Sequence, residues 1–188
     1  IYRPTAAYGH FGRPAEGGSE STVLLFRLER DGHMAVRSRV RLGRGSANTA
    51  EVSSVLAYAS RERVAIVPFG AGSGVCGAVL APEHSVVVDL GGMCALKHID
   101  EVSLLATVEP GLLGSEFEAA LNQAGYSMGH FPQSIALSSV GGWVATRAAG
   151  QFSTKYGNIE DMLVAFEAVL PDGEIVRTRS IPRAAAGQ

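Results

Sequence analysis

The sequence predicts an α+β fold, and three of its features indicate this. Short apolar runs that end at Gly or Pro, such as Val64-Ala65-Ile66-Val67-Pro68, are typical of buried strands. Apolar residues at helical spacing follow the polar residue Asn48, which indicates a capped helix. Pro171-Asp172-Gly173 stands between two apolar stretches and predicts a β-hairpin. With 188 residues, the chain can bury one sizeable core and no more than one complete domain.

Residues 1–47 are predicted to stand apart from that domain. Residues 1–22 are rich in Gly, Pro and small polar side chains, so we assign them to a tail or linker. Residues 23–47 form an N-terminal extension, with short strands predicted at 23–26 and 34–40 around the turn pair Asp31-Gly32. We interpret the arginines of this extension as a solvated face rather than a phosphate-binding surface.

Residues 48–183 hold the regular elements of the domain. Strands are predicted at 64–68, 85–90 and 104–109, and a hairpin at 161–170 with 174–178. Helices are predicted from Asn48 to about Ser60, from Ser115 to Gly125, and from Ser138 or Ser139 to Gly150. Glu51 and Glu118 stand where they would complete capping boxes with Asn48 and Ser115.

Composition excludes several classes of function. The net charge is −2, which leaves no basic stripe to neutralise phosphates, so no nucleic-acid partner is expected. No apolar run approaches the roughly 18 residues that cross a bilayer, and the first residues lack signal-peptide regions. We therefore expect no transmembrane segment and a cytoplasmic, bacterial-type location. Cys76 and Cys94 are too few for a disulfide framework and lack zinc-site spacing, so no metal is predicted.

A glycine-rich loop follows the strand at 64–68, with four glycines between Gly70 and Gly77. Without Cβ atoms, consecutive N–H groups can point at one anion, and pyrophosphate is the natural ligand. Residues 72–77 match G-x-G-x-x-G, but the dinucleotide-binding fold also needs a helix here, and 78–84 is short and contains Pro82. A triphosphate P-loop is excluded, because Ala78 and Val79 replace its Lys and Ser or Thr. A glycine turn without a ligand is the remaining alternative.

The order of these motifs resembles one family. The loop, the strand 86–90 and the turn Val108-Glu109-Pro110-Gly111 are similar, over about 48–183, to the FAD-binding domain of vanillyl-alcohol oxidase and p-cresol methylhydroxylase flavoproteins. Within this family the strongest similarity is to the alkyldihydroxyacetonephosphate synthases. The segments that carry it are Gly129-His130-Phe131-Pro132-Gln133-Ser134, the stretch 139–150 around Gly141-Gly142-Trp143, and Tyr156-Gly157-Asn158-Ile159-Glu160-Asp161.

The resemblance implies a two-subdomain FAD-binding fold of the p-cresol methylhydroxylase type, with FAD as cofactor. The first loop would wrap the pyrophosphate through Pro68, Phe69, Gly70, Ala71, Gly72, Ser73, Gly74 and Val75. The second loop and the helix after it would reach the isoalloxazine edge and phosphate through Pro132, Gln133, Ser134, Ile135, Ala136, Leu137, Ser138, Gly142, Thr146, Arg147, Ala148 and Ala149.

For several of these side chains, a purely structural role is the alternative to a contact with the flavin. Ser134, Ser138 and Thr146 are the expected hydroxyl donors to the flavin, with helix capping as the alternative for the two serines. Arg147 would neutralise flavin or phosphate charge, or else form a surface ion pair. We interpret His130 as an ordinary packed or exposed histidine rather than a flavin attachment point. Trp143 is interpreted as helix packing.

The resemblance further implies exchange of an acyl for an alkyl group on dihydroxyacetone phosphate, which is ether-lipid chemistry on a lipid-type small molecule. The family's substrate (cap) domain, catalytic Tyr, His-rich segment and later flavin loop have no counterpart, so we expect a domain truncated at 184–188 and no catalytic residue here. We also expect this chain alone to bind FAD weakly or not at all. Peripheral membrane association would suit the complete transferase or oxidoreductase. A missing strand would expose a sheet edge and favour a homodimer.

Other interpretations stay open. One is an FAD-linked oxidase of 2-hydroxy acids such as lactate or glycolate, and another is a non-catalytic module with the same fold. Residues 1–13 resemble the C-terminal tail of S-adenosylmethionine synthetases, and no activity is inferred from them.

Overall fold

The computed structural model describes residues 38–41 and 48–178, in which strands and helices are mixed along the chain. The strands are β1 (Ser38–Arg41), β2 (Ala65–Phe69), β3 (Ser85–Asp89), β4 (Leu96–Asp100), β5 (Leu105–Val108), β6 (Glu167–Val169) and β7 (Ile175–Arg177). The helices are α1 (Thr49–Glu62), α2 (Gly114–Gln123), α3 (Val140–Thr146), α4 (Ser153–Tyr156) and α5 (Ile159–Met162). The predicted tail 1–22, the strand 23–26, the turn Asp31-Gly32 and the end 184–188 lie outside the described residues.

A parallel three-stranded sheet, ordered β1-β3-β2, forms the first part of the fold. Helix α1 covers it with Val52, Leu56 and Ala59, which recur three or four residues apart and are buried. They share a core with residues of the sheet and of the β6-β7 hairpin: Ile66, Val88, Leu90, Met93 and Val169. The predicted α1, β2, β3 and closing hairpin are therefore confirmed.

Asn48 caps the start of α1 as the sequence predicts, but among the described residues the Glu51 side chain does not complete a capping box. The Asn48 Oδ1 atom accepts a hydrogen bond from the Glu51 N–H at 3.1 Å. We expect Asn48→Ala to lower the free energy of unfolding by about 1 kcal/mol, because one N–H of the first turn loses its acceptor. Urea denaturation measures this, and Asn48→Asp is the matched control that keeps an acceptor. Equal stability of Asn48→Ala and Asn48→Asp would contradict the capping role.

A second core lies between α2, α3, α5 and the β4-β5 hairpin. Its buried members are Leu112, Phe117, Leu121, Val140, Trp143 and Ile159. Gly114 permits the closest approach in it, because a Cβ there would lie 2.1 Å from the Trp143 ring. Two separate cores agree with the expected two-subdomain fold.

In this second part, one strand was not predicted and one predicted helix cap is wrong. Strand β4 was not expected, because two exposed residues in a row, Lys97 and His98, interrupt the alternation of buried and exposed side chains that indicates a strand. The pairing of β4 with β5 shifts register at this point, between Leu96 and His98. Ser115 and Glu118 do not form a capping box, since α2 begins at Gly114 without a side-chain cap. Buried Glu118 instead accepts hydrogen bonds from Ser127 Oγ at 2.6 Å and the Met128 N–H at 3.1 Å.

Two further predicted elements are shorter than expected. Helix α3 ends at Thr146 rather than Gly150, because Arg147 takes a left-handed conformation with φ 53°. The first strand of the hairpin begins at Glu167 rather than 161, because Asn158 and Asp161 form a capping box that starts α5. No helix of the described residues is long and apolar enough to cross a membrane.

Candidate cofactor-binding site

The glycine loop, residues 70–77, leaves the end of β2 at the carboxyl edge of the parallel sheet. Its middle, Gly72 to Cys76, is exposed. None of the backbone N–H groups from Gly70 to Gly77 donates to an acceptor within the described part of the chain. No helix follows before β3, which confirms the argument against the dinucleotide-binding fold. Within the described residues, the loop therefore offers a series of N–H donors without acceptors, as an anion site requires.

Phe69 and Gly72 shape this loop. Gly72 has φ 72°, and a Cβ there would lie 2.8 Å from the Phe69 ring. A residue with a side chain would therefore meet both a disfavoured backbone and a steric clash. Gly74 differs, because a Cβ there would meet nothing within 4 Å among the described residues.

The glycine loop touches the beginning of α3. A Cβ on Gly70 would lie 2.4 Å from Ser139 Oγ, so the two loops meet where Gly70 has no side chain. Ser139 is 2% exposed and caps α3 by accepting the Gly142 N–H at 3.3 Å. Sequence reasoning considered Ser139 only as a helix cap and missed this contact, because local sequence does not show that Gly70 lies beside it.

Ser138, the expected hydroxyl donor, is used inside its own loop. Its Oγ donates to the Ser134 carbonyl at 2.7 Å and accepts from Trp143 Nε1 at 2.7 Å. A hydroxyl has one proton, so donation from Ser138 Oγ to a flavin disagrees with this geometry. Helix packing by Trp143 is confirmed, and the indole also holds this loop.

Thr146 and Arg147 likewise have partners within the chain. Thr146 Oγ1 donates to the Gly142 carbonyl at 2.8 Å. The Arg147 guanidinium pairs with Glu160 Oε1 at 2.8 Å, on the surface. The backbone N–H of Glu160 and the Arg147 guanidinium together lower the pKa of the Glu160 carboxyl. Arg147 thus forms the surface ion pair that was the alternative to a flavin contact.

The second loop is attached to the start of α2. The Gly114 N–H donates to the Ser138 carbonyl and the Ser115 N–H to the Ile135 carbonyl, at 2.9 and 3.0 Å. Within the loop, the Leu137 N–H donates to the Ser134 carbonyl at 2.7 Å. The remaining expected contacts differ in exposure: Pro132 is buried, Ser134, Ile135 and Ala148 are half-buried, and Gln133, Ala136, Leu137 and Ala149 are exposed.

His130 lies just before this loop and is 1% exposed. Its ring packs edge-on against Trp143, with centroids 4.8 Å apart and an interplanar angle of 67°. Burial lowers the pKa of the imidazole. The interpretation as a packed histidine is confirmed. Among the described residues, no group of His, Cys, Asp or Glu could hold a metal ion.

The family model described as "FAD binding domain" matches residues 46–179. The FAD-linked oxidoreductase YgcU of Escherichia coli (strain K12) is 44% identical over 141 residues, which cover 74% of this chain and 29% of that protein. Alkyldihydroxyacetonephosphate synthase of Caenorhabditis elegans is 36% identical over 73% of this chain and 24% of its own length. The glycolate oxidase subunit GlcD of Bacillus subtilis (strain 168) is 35% identical over 70% of this chain and 28% of its own.

Solved structures agree with the sequence comparisons. An alkyldihydroxyacetonephosphate synthase superposes with TM-score 0.67 at 34% identity, over 77% of this chain and 26% of that one. p-Cresol methylhydroxylase has the same fold, with TM-score 0.63 at 21% identity, over 80% of this chain and 28% of its own. The chain spans less than a third of the length of each of these proteins.

Proposed function

Because the chain belongs to the FAD-binding domain family and FAD is its cofactor, we propose that its glycine loop and the start of α3 together hold the FAD pyrophosphate. The observation that carries the proposal is the run of N–H groups from Gly70 to Gly77 without acceptors in the described chain. When bound, FAD supplies the isoalloxazine ring that carries the chemistry. The chain's own residues bind and orient it.

Ser139 and Ser73 are the hydroxyls that we assign to this site. Ser139 Oγ accepts the Gly142 N–H, and its proton has no acceptor among the described residues. Ser73 is exposed in the middle of the glycine loop. Hydrogen bonds to phosphate are charge-assisted and stronger than neutral ones, so two hydroxyls beside the N–H groups suit a dianionic pyrophosphate.

The affinities for two flavins test the proposed pyrophosphate site, because FAD contains a pyrophosphate and FMN does not. We expect FAD to bind at least about tenfold more tightly than FMN, the loss expected for about one charge-assisted hydrogen bond. ADP should displace FAD. Fluorescence titration into the millimolar range would detect a weak complex. Equal affinity for FAD and FMN, or no binding of either, would reject the site, and the second result would favour a non-catalytic module.

For the whole protein we propose an enzyme resembling alkyldihydroxyacetonephosphate synthase, which replaces the acyl group of acyl dihydroxyacetone phosphate by a fatty alcohol. The similarity to the synthase of Caenorhabditis elegans supports this. A second candidate is an FAD-linked oxidoreductase of 2-hydroxy acids, favoured by the 44% identity to YgcU and the similarity to GlcD. Labelled fatty alcohol incorporated without an electron acceptor supports the synthase, whereas acceptor reduction by lactate or glycolate supports the oxidoreductase.

A further inference from the structure

His130 is a buried polar side chain that no hydrogen bond in the described residues explains. Neither Nδ1 nor Nε2 has a partner there, and the side chain is 1% exposed. A neutral imidazole carries one donor and one acceptor, and leaving them unpaired in an apolar interior is costly. An aromatic hydrocarbon ring of similar size would fill the space without that cost. A titratable group at this position therefore calls for an explanation.

The imidazole of His130 is connected through the Trp143 ring to the two neighbouring serines, Ser138 and Ser139. It packs on Trp143, whose Nε1 donates to Ser138 Oγ at 2.7 Å. The next residue, Ser139, is the one that meets the glycine loop at Gly70. A continuous series of contacts therefore leads from His130 through Trp143 and Ser138 to the place where Ser139 meets Gly70.

The backbone on both sides of His130 is held in place. Gly129 has φ 73°, and a Cβ on Gly129 would lie 3.2 Å from the Tyr156 ring. A Cβ on Gly150 would lie 2.7 Å from the backbone nitrogen of Phe131. The backbone beside the imidazole is therefore closely packed, and exposing the ring to water requires this backbone to move.

Five charged side chains of the elements packed around His130 have other partners, and Glu116 of α2 is exposed. Glu118 of α2 accepts from Ser127 and Met128, and Arg147 at the end of α3 pairs with Glu160 of α5. Asp161 of α5 accepts the Asn158 N–H at 2.9 Å. Lys155 of α4 lies over the Tyr156 ring, 4.7 Å from its centroid. Burial is what sets the behaviour of the imidazole, whose pKa it lowers.

We propose that His130 is an acid-sensitive latch of the FAD site: its neutral form holds the segment 129–139 closed against the glycine loop, and its protonated form releases it. The inference rests on the proposed function, because this segment ends at Ser139, a residue that we assign to the proposed FAD site. An imidazolium ion without a partner is not tolerated in an apolar core, so proton uptake favours the open segment.

The direction of the pH effect follows from proton binding. The closed form has the lowered pKa and binds fewer protons than the open form, whose pKa is near the ordinary value of 6.5. Closure is therefore fully favoured above about pH 6.5 and weakens as the pH falls towards the lowered pKa. In that window the ratio of open to closed forms rises by up to about tenfold per pH unit.

The chain contains one tryptophan, Trp143, so its emission reports on the surroundings of His130. Emission without FAD and the affinity for FAD are measured from pH 8 to pH 5, above the range where an ordinary carboxylate titrates. We expect red-shifted emission and a loss of FAD affinity as the pH falls from 6.5 to 5, by at most about tenfold per pH unit. His130→Phe should show neither change, and His98→Gln, at an exposed histidine of β4, should behave like the unsubstituted chain.

The outcomes separate the latch from the FAD site itself. A red shift of the Trp143 emission at acid pH, with no FAD binding at any pH, rejects the FAD site and supports opening of the segment 129–139. FAD binding that does not change with pH rejects the latch and keeps the site. If His130→Phe does not fold, NMR of the unsubstituted chain tests the latch. His130 is identified by its nuclear Overhauser contacts to the Trp143 indole. A titration midpoint near the ordinary value of 6.5 for this imidazole would reject the latch.

Discussion

Gly70→Ala is expected to lower the affinity for FAD by about 30-fold or more, equivalent to about 2 kcal/mol, because it moves a phosphate-binding hydroxyl. The new Cβ would lie 2.4 Å from Ser139 Oγ, which is buried and caps α3. Either the hydroxyl rotates away from its position or the glycine loop separates from α3. Both responses remove donors from the proposed pyrophosphate site. Titration of FAD fluorescence measures the loss, with urea denaturation to confirm that the variant remains folded.

Two variants make this result specific. Gly74→Ala adds the same methyl group to the same loop, where it meets no described atom within 4 Å, and should weaken FAD binding less than Gly70→Ala does. Gly70→Ala combined with Ser139→Gly removes the colliding atom, and should recover the loop contact but not the hydrogen bond. Undiminished FAD binding by Gly70→Ala would mean that the contact with Ser139 has no part in the site.

Gly111→Ala is expected to have the largest effect on stability, lowering the free energy of unfolding by about 3 kcal/mol or more. A Cβ there would lie 2.1 Å from the Leu90 carbonyl oxygen and 2.8 Å from the Met93 carbonyl oxygen. Both are backbone atoms, so no side-chain rotation can relieve the collision. The Gly111 N–H also donates to the Met93 carbonyl at 2.7 Å, a bond that would have to lengthen.

Denaturation in urea, followed by circular dichroism, measures this loss. Gly74→Ala again serves as the control, because it makes the same substitution on an open loop. A typical domain has only about 5–15 kcal/mol of stability, so the Gly111 variant should have a much lower midpoint. A midpoint equal to that of Gly74→Ala would show that the backbone at Leu90 yields easily.

The parts of the fold that could be predicted are those specified by neighbouring residues. Asn48 and Glu51 define the start of α1, and Pro171-Asp172-Gly173 defines the closing turn, because capping and turn chemistry act over a few residues. The position of the glycine loop behind β2 was predictable for the same reason. Strand β4 was not, since its exposed Lys97 and His98 hide the alternation.

Contacts between distant residues decided which side chains belong to the candidate site. Ser138 and Ser139 are neighbours with the same functional group, and only the fold shows that Ser138 bonds Trp143 whereas Ser139 meets Gly70. Likewise, the partner of Arg147 is Glu160, and local sequence does not reveal that pairing. Sequence reasoning therefore identified the segments of the site and missed the assignment of individual hydroxyls.

The close approach at Gly111 also bears on cooperativity. Gly111 lies against Leu90 and Met93 of the first core, and the next residue, Leu112, belongs to the second. The Pro110 carbonyl, one residue earlier, accepts the Gly141 N–H of α3 at 2.8 Å. Since this short segment is shared, neither subdomain can open without straining the other. The two cores should therefore melt as a single foldon, and amide exchange in α1 and α3 should slow to the same limit.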